Sequence, residues 1–162
     1  DSLSAKQQSG EIVTTLNYLP ADWLAIKEAG MDDHSKISIA RSEYEGLEYY
    51  RLRVGLQSGQ SDVLQYAAAD TDDYYQRVEY FSFGMQHDLR LLVGADTLAC
   101  KIFHFERNYG AAPYMDFMLG FESKPDAGFD RTLLYDDRVY SNSLIQLTIP
   151  FDNIRRIPTL QL

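Results

Sequence analysis

The chain has 162 residues, of which 45% are hydrophobic and 24% charged, and its 15 Lys and Arg against 24 Asp and Glu give a formal net charge of −9. These proportions are those of a globular domain that can bury a core without disulfide or metal support. The acidic charge disfavours nucleic-acid binding, because it repels phosphate backbones, and no apolar run reaches the roughly 18 residues of a membrane span.

The first ten residues, DSLSAKQQSG, are polar and show no apolar period. This composition is typical of a flexible chain, so we expect residues 1–10 to be a flexible leader. A polar leader before an acidic, aromatic-rich domain resembles bacterial envelope lipoproteins, in which the tether follows a cleaved signal peptide and a lipidated cysteine. We therefore expect an extracytoplasmic protein, either envelope-anchored or periplasmic, with contact to the membrane only through such an anchor. The alternative is a cytoplasmic protein.

Residues 20–29 predict the one short helix of the chain. Pro20 suits the first helical position, and Gly30 stands where a left-handed C-terminal residue belongs. Trp23 and Ile26 follow helical spacing, and a helix this short needs such a face to dock on the rest of the domain.

After residue 36 the apolar residues alternate with a period of two, which predicts strands. Residues 36–56 predict two strands joined at Glu45-Gly46, and residues 76–83 predict an aromatic strand with a bulge. In the doublet Tyr49-Tyr50, alternation turns one ring away from the core. Further strands are predicted within residues 11–19, 88–109, 114–122, 132–135 and 143–151, and an edge strand in the tail 153–162.

This pattern of seven to nine short strands without intervening amphipathic helices defines the expected fold class. We predict a mainly β protein, a single antiparallel β-sandwich of immunoglobulin-like or jelly-roll type over residues 11–162. A small β-barrel is the alternative closure.

The stretch ACKIFHFERNYG, at residues 99–110, holds the only cysteine and one of three histidines. On a strand, Cys100 and His104 share one face but lie roughly 13 Å apart, because a strand rises about 3.3 Å per residue. A thiolate–imidazole pair needs hydrogen-bond contact. We therefore expect Cys100 to be a small buried hydrophobic residue with no catalytic role.

The acidic stretch ADTDDYY, at residues 69–75, is the candidate metal site. Asp70, Asp72 and Asp73 place several carboxylates in one predicted loop, and calcium prefers oxygen ligands. The glycine and the terminal glutamate of an EF-hand loop are missing, so a solvated acidic turn is the competing interpretation. We expect no cofactor, and calcium is the one alternative that the sequence offers.

Tyrosines supply the candidate binding residues, because a rigid aromatic body with a polar tip suits recognition surfaces. We predict that Tyr74, Tyr75, Tyr109 and Tyr114 lie on loops and contact a partner. The leading hypothesis is a non-catalytic binding or assembly module for a protein or a glycan. The alternatives are a calcium-dependent module and a small hydrolase that relies on carboxylates.

Overall fold

The computed structural model describes residues 2–59, 62–108, 111–124 and 128–161. Its strands are β1 Ser4–Ser9, β2 Ile12–Leu19, β3 Leu47–Leu56, β4 Leu89–Val93, β5 Asp96–Ala99, β6 Ile102–Glu106, β7 Tyr114–Glu122, β8 Arg131–Asp137 and β9 Ser143–Ile149. Its α-helices are α1 Ala21–Ala29, α2 His34–Glu43, α3 Thr71–Glu79 and α4 Phe151–Arg155, with a π-helical turn at Tyr80–Gly84 and a 3₁₀ turn at Met85–Asp88. In the described ranges, none of these helices is long and apolar enough to cross a bilayer.

The strands form two antiparallel sheets, one with the order β1-β2-β3-β7-β6 and one with the order β5-β4-β8-β9. The predicted mainly β, antiparallel fold is therefore confirmed. The first sheet differs from an immunoglobulin sheet, where the first two strands are followed by the fifth and fourth. In this sheet the neighbour of β2 is β3, the next strand in sequence.

One hydrophobic core is shared by the two sheets, as in a β-sandwich. Leu52 and Phe117 enter it from the first sheet and Leu91 and Leu133 from the second, all fully buried. Phe81 of the π-helical turn joins the same core and is also fully buried. Burying a side chain of this size contributes about 2–3 kcal/mol, so this turn is an integral part of the domain.

The structure corrects the prediction of a flexible leader at residues 1–10, because residues 4–9 form strand β1. This strand pairs with β2 over its whole length, from Ser4 opposite Asn17 to Ser9 opposite Ile12. As the end strand of its sheet it needs few apolar side chains, since backbone hydrogen bonds to β2 order it. The polar composition of residues 1–10 therefore gave no indication of this strand.

The first of the two strands predicted within 36–56 is also wrong. Residues 34–43 form helix α2, which begins at an N-cap where the Asp33 side chain accepts a hydrogen bond from the Lys36 backbone. Ile37 and Ala40 lie three residues apart on one face and pack against Ala25 of α1. The helical pair α1–α2 therefore separates β2 from β3.

The doublet Tyr49-Tyr50 alternates as predicted, but the ring turned away from the shared core is also buried. Tyr50 points into the shared core, whereas Tyr49 packs with Leu19 and Leu24 beneath α1. The prediction assumed that one face of the sheet is open to solvent. Helices cover that face here, so each ring has its own apolar environment.

Two further strand predictions are corrected. Residues 76–83 continue helix α3 and enter the π-helical turn, so the shift in apolar phase is a change of helical pitch rather than a β-bulge. The tail begins with helix α4 instead of an edge strand, and the Leu160 backbone N–H then donates to the Asp22 carboxylate of α1 at 2.8 Å. That contact holds the tail against the helical pair.

Candidate functional site

Helix α3 carries most of the predicted site residues, and its own carboxylates start it. Asp70 accepts a hydrogen bond from the Asp73 backbone N–H at 2.8 Å, and Asp73 accepts one from the Ala69 N–H at 2.9 Å. This reciprocal cap satisfies backbone donors that a helix N-terminus leaves unpaired. The predicted acidic loop is therefore the start of a helix, with Asp72 and Asp73 placed favourably for the helix dipole.

The two faces of α3 have different roles. Tyr74 and Val78 pack against the shared core, and Arg77 is buried between them and the segment before the helix. Tyr75 points outward and is 63% exposed. The consecutive tyrosines thus lie one inside and one outside, and both are on a helix rather than on a loop.

Beside this helix lies a surface cavity of about 500 Å³, which we call the tyrosine cavity. Its lining residues are Gln65, Ala68, Asp70, Thr71, Tyr74 and Tyr75. The two tyrosine rings meet edge to face, with centroids 5.5 Å apart and planes at 76°. The Tyr74 hydroxyl accepts a hydrogen bond from Nη2 of Arg107 at 3.3 Å, so the residue after strand β6 supports the inner ring. Tyr75 therefore packs against a ring that a hydrogen bond from Arg107 holds in place.

Polar groups complete the tyrosine cavity. Within the described part of the chain, the Gln65 amide and the Thr71 hydroxyl form no hydrogen bond with the protein. Asp70 uses one carboxylate oxygen for the helix cap and has a second oxygen as a further acceptor. The cavity thus combines an exposed ring with an amide, a hydroxyl and a carboxylate, which together donate and accept hydrogen bonds.

Arg77 holds the wall of this cavity in place. Its Nη1 donates to the carbonyl oxygens of Leu64 and Tyr66, at 3.0 and 2.6 Å, and so fixes the segment that carries Gln65. Its Nη2 lies 3.8 Å from the nearer Asp73 oxygen, and its buried Nε has no hydrogen-bond partner among the described residues. We regard Arg77 as a positioning residue for the segment before α3.

A second cavity, of about 470 Å³, lies on the other side of residues 65–68. Arg77 and Tyr140 contribute to its lining, together with the β1–β2 turn and residues 139–141. The Arg77 guanidinium lies 5.2 Å from the centroid of the Tyr140 ring, whose hydroxyl donates to the Val63 carbonyl oxygen. These contacts further tie the segment before α3 to the turn between β8 and β9.

The structure places Tyr114 away from the tyrosine cavity, at the start of β7. The Arg53 guanidinium lies 3.7 Å from the centroid of its ring, so this aromatic face is already covered. Asn108 donates to the Tyr114 carbonyl oxygen, while the neighbouring Arg107 contacts Tyr74. Tyr74 and Tyr114 are thus linked through residues 107–108 but do not line one site. Tyr109, the fourth predicted residue, lies outside the described residues.

The calcium-dependent module stays an untested alternative. Asp70 and Asp73 each use a carboxylate oxygen for a backbone N–H, as described above. In the ranges that the structure describes, no three or more His, Cys, Asp or Glu residues are grouped so that they could hold a metal ion.

The expected burial of Cys100 is confirmed. Its Sγ donates to the Ile102 carbonyl oxygen at 3.1 Å, and burial raises the pKa of the thiol to about 12. Because a thiolate is the nucleophilic form, this cysteine is a poor nucleophile at neutral pH. Cys100 itself lies just before β6, which begins at Ile102.

Sequence reasoning missed Gln65, Thr71 and Arg77. The spacing of Tyr74, Arg77 and Phe81, in steps of three and four, was the signal for a helix with one buried face. A helix there would have placed Thr71 and Tyr75 on one exposed side. Gln65 has no comparable signal, because the turn that brings it to the helix depends on Arg77.

Comparisons of this chain with protein-family models, with curated proteins and with solved structures find no match.

Proposed function

We propose that this chain is a non-catalytic binding module whose tyrosine cavity holds a neutral glycan. The single observation that carries the proposal is the exposed ring of Tyr75 beside the free polar groups of Gln65 and Thr71. A sugar ring has an apolar C–H face that packs on an aromatic ring and hydroxyl groups that exchange hydrogen bonds with amides and hydroxyls.

The charge and the size of the cavity favour a neutral glycan over an acidic ligand or a protein partner. Asp70 and Asp72 stand at the cavity or next to it, and the chain carries a net charge of −9, so an acidic ligand is repelled. A specific protein partner normally buries about 1,000 Å² or more, much of it apolar. A concave site with one exposed ring and several polar groups suits a smaller, hydroxyl-rich ligand better.

Binding of uncharged oligosaccharides tests the proposal. Cellohexaose, maltohexaose, xylohexaose and N-acetylchitohexaose are suitable probes, screened by calorimetry against the purified chain. We expect one of these backbones to bind, and we expect Tyr75→Ala to weaken that binding at least about tenfold while Tyr75→Phe retains it. Since Tyr75 is exposed, its substitution should change stability by less than about 0.5 kcal/mol.

Phe83→Ala is the matched control, because Phe83 is an exposed ring on the same helical segment that does not line the cavity. Its affinity for the glycan should equal that of the unaltered chain. Equal binding by Tyr75→Ala would show that the glycan lies elsewhere. Failure of every neutral probe would contradict the glycan class itself.

The cellular setting of this module is proposed to be the bacterial envelope, as a secreted or lipid-anchored domain. Envelope glycans are available there to a binding module with an open cavity. The intact mass of the native chain, measured after separation of soluble and membrane fractions, tests this setting. A lipidated cysteine preceding the domain is the expected finding, and an unmodified cytoplasmic chain would contradict it.

A further inference from the structure

Two arginines of strand β3 differ in their partners although they share one face. Arg53 lies opposite Asp116 in the register with β7 and forms two hydrogen bonds with its carboxylate, at 2.7 and 2.9 Å. Arg51 lies opposite Met118 in the same register. On its other side the register places Asn17 of β2, whose amide oxygen accepts from Nη2 of Arg51 at 3.3 Å. Arg53 is neutralised by its neighbour, and Arg51 is not.

The charge of Arg51 therefore has no compensation within the described part of the chain. Its Nε is buried without a hydrogen-bond partner, and its one side-chain hydrogen bond goes to a neutral amide. Among the described residues, other arginines such as Arg53 and Arg131 do have a carboxylate partner. A guanidinium binds a planar carboxylate well, because both present two parallel bonding positions.

Arg51 lines a groove of about 280 Å³ between β2 and the start of α1, which we call the tryptophan groove. Its lining is formed by Leu3, residues 17–19, Pro20, Trp23 and Arg51. Trp23 is 44% exposed, and the Lys27 ammonium lies 5.0 Å from the centroid of its ring. Lys27 thus places a second cation beside one of the residues that line the groove. In the described parts of the chain, the groove shares no lining residue with the tyrosine cavity.

We propose that the tryptophan groove is a binding site for a carboxylate that carries a ring or another apolar group. The carboxylate pairs with the Arg51 guanidinium, and the apolar part lies against Trp23 and Leu19. Lys27 adds favourable potential without a bidentate contact, because an ammonium acts as a point charge. Among the described lining residues Arg51 is the one guanidinium, which matches a singly charged anion rather than a phosphate dianion.

The tryptophan fluorescence of the protein reports directly on this groove, because Trp23 is the only tryptophan in the sequence. Binding is followed by Trp23 fluorescence and by calorimetry, with 3-phenylpropionate as the probe. We expect saturable binding with a Kd of about 1 mM or below. 3-Phenylpropanamide, which lacks the charge, and propionate, which lacks the ring, should each bind at least about tenfold more weakly.

Arg51→Met should lower the affinity for 3-phenylpropionate at least about tenfold, whereas the matched control Arg53→Met should leave it within about twofold. Melting curves establish that both variants are folded. Should Arg51→Met fail to fold, Lys27→Met at the exposed position supplies a second test, with an expected loss of about threefold. Equal binding of the amide and the carboxylate, or unchanged affinity of Arg51→Met, would overturn the proposal. Preferential binding of phenyl phosphate would overturn the carboxylate class.

Discussion

Arg131 of β8 and Glu48 of β3 form a buried, two-point ion pair that joins the two sheets. Nε and Nη2 of Arg131 donate to the two Glu48 carboxylate oxygens at 3.2 and 2.8 Å, and the side chains are only 1% and 7% exposed. The Tyr50 hydroxyl donates to the same carboxylate, and Arg131 also donates to the carbonyl oxygens of Lys124 and Phe129. Each charged group is therefore satisfied from more than one side.

Glu48→Gln should strongly destabilise the fold, because it leaves the buried Arg131 guanidinium without a counter-charge. We expect the free energy of unfolding, measured in urea, to fall by about 3–5 kcal/mol. Arg90→Met is the control, since Arg90 pairs with Asp136 at the surface, and its effect should stay under about 1 kcal/mol. Similar losses for the two variants would show that the buried pair between the sheets stabilises the fold no more than a surface ion pair.

Asp70→Ala should shorten or loosen helix α3. The cap that Asp70 provides to the Asp73 N–H is worth about 1 kcal/mol of stability, and Asp70→Asn should keep most of it because an amide oxygen also accepts. Asp72→Ala removes a first-turn carboxylate that does not cap, so its expected cost is about 0.5 kcal/mol or less. Chemical denaturation of the three variants ranks them, and an Asp72 effect equal to that of Asp70→Ala would contradict the cap.

Calcium should leave the melting temperature unchanged relative to EDTA. Asp70 and Asp73 already accept backbone N–H groups, so a bound cation would compete with the helix cap. A ligand that binds only the folded state stabilises it by mass action, by about 2.7 kcal/mol at a hundred times its Kd. A calcium-dependent rise in melting temperature that Asp72→Asn removes would instead establish the calcium-dependent module.

The fold should lose stability at alkaline pH through its buried tyrosines. Burial raises the pKa of Tyr50 and Tyr135 well above their ordinary value, and burial with the nearby Glu48 charge raises the pKa of Tyr18 to about 12. In the unfolded chain these hydroxyls ionise near pH 10, so the unfolded state then binds fewer protons than the folded state. Their contribution is complete below about pH 10 and declines above it, by up to about 1.4 kcal/mol per pH unit for each group.

Tyrosinate absorbance and circular dichroism, followed together against pH, measure this effect. We expect the buried rings to ionise only as the secondary structure is lost, and Tyr135→Phe to reduce the slope of stability against pH. Ionisation of all twelve tyrosines before any loss of structure would contradict the prediction.

Strand periodicity in the sequence was reliable where a strand has a single apolar face. In β7, residues Met115, Phe117, Leu119 and Phe121 alternate strictly, and all four are buried as expected. Helix α1 was equally visible, since Pro20 precedes it and Gly30 follows it with a φ of 83°. In α2, by contrast, Ile37 and Ile39 imitate a strand, yet Ile39 is 64% exposed and Ile37 pairs with Ala40 instead.

The sequence by itself determined the acidic charge and the mainly β class, and it singled out Tyr74 and Tyr75 as candidate binding residues. Only the tertiary structure decided that Tyr49 is covered by a helix and that Gln65 and Tyr75 line one cavity. It also decided that, among the described residues, Arg53 has a carboxylate partner while Arg51 has none. The physical reason is that side-chain alternation follows from local backbone geometry, whereas burial and charge pairing depend on residues distant in the chain. Glu48 and Arg131 are 83 positions apart, and no local pattern predicts that their side chains meet between the sheets.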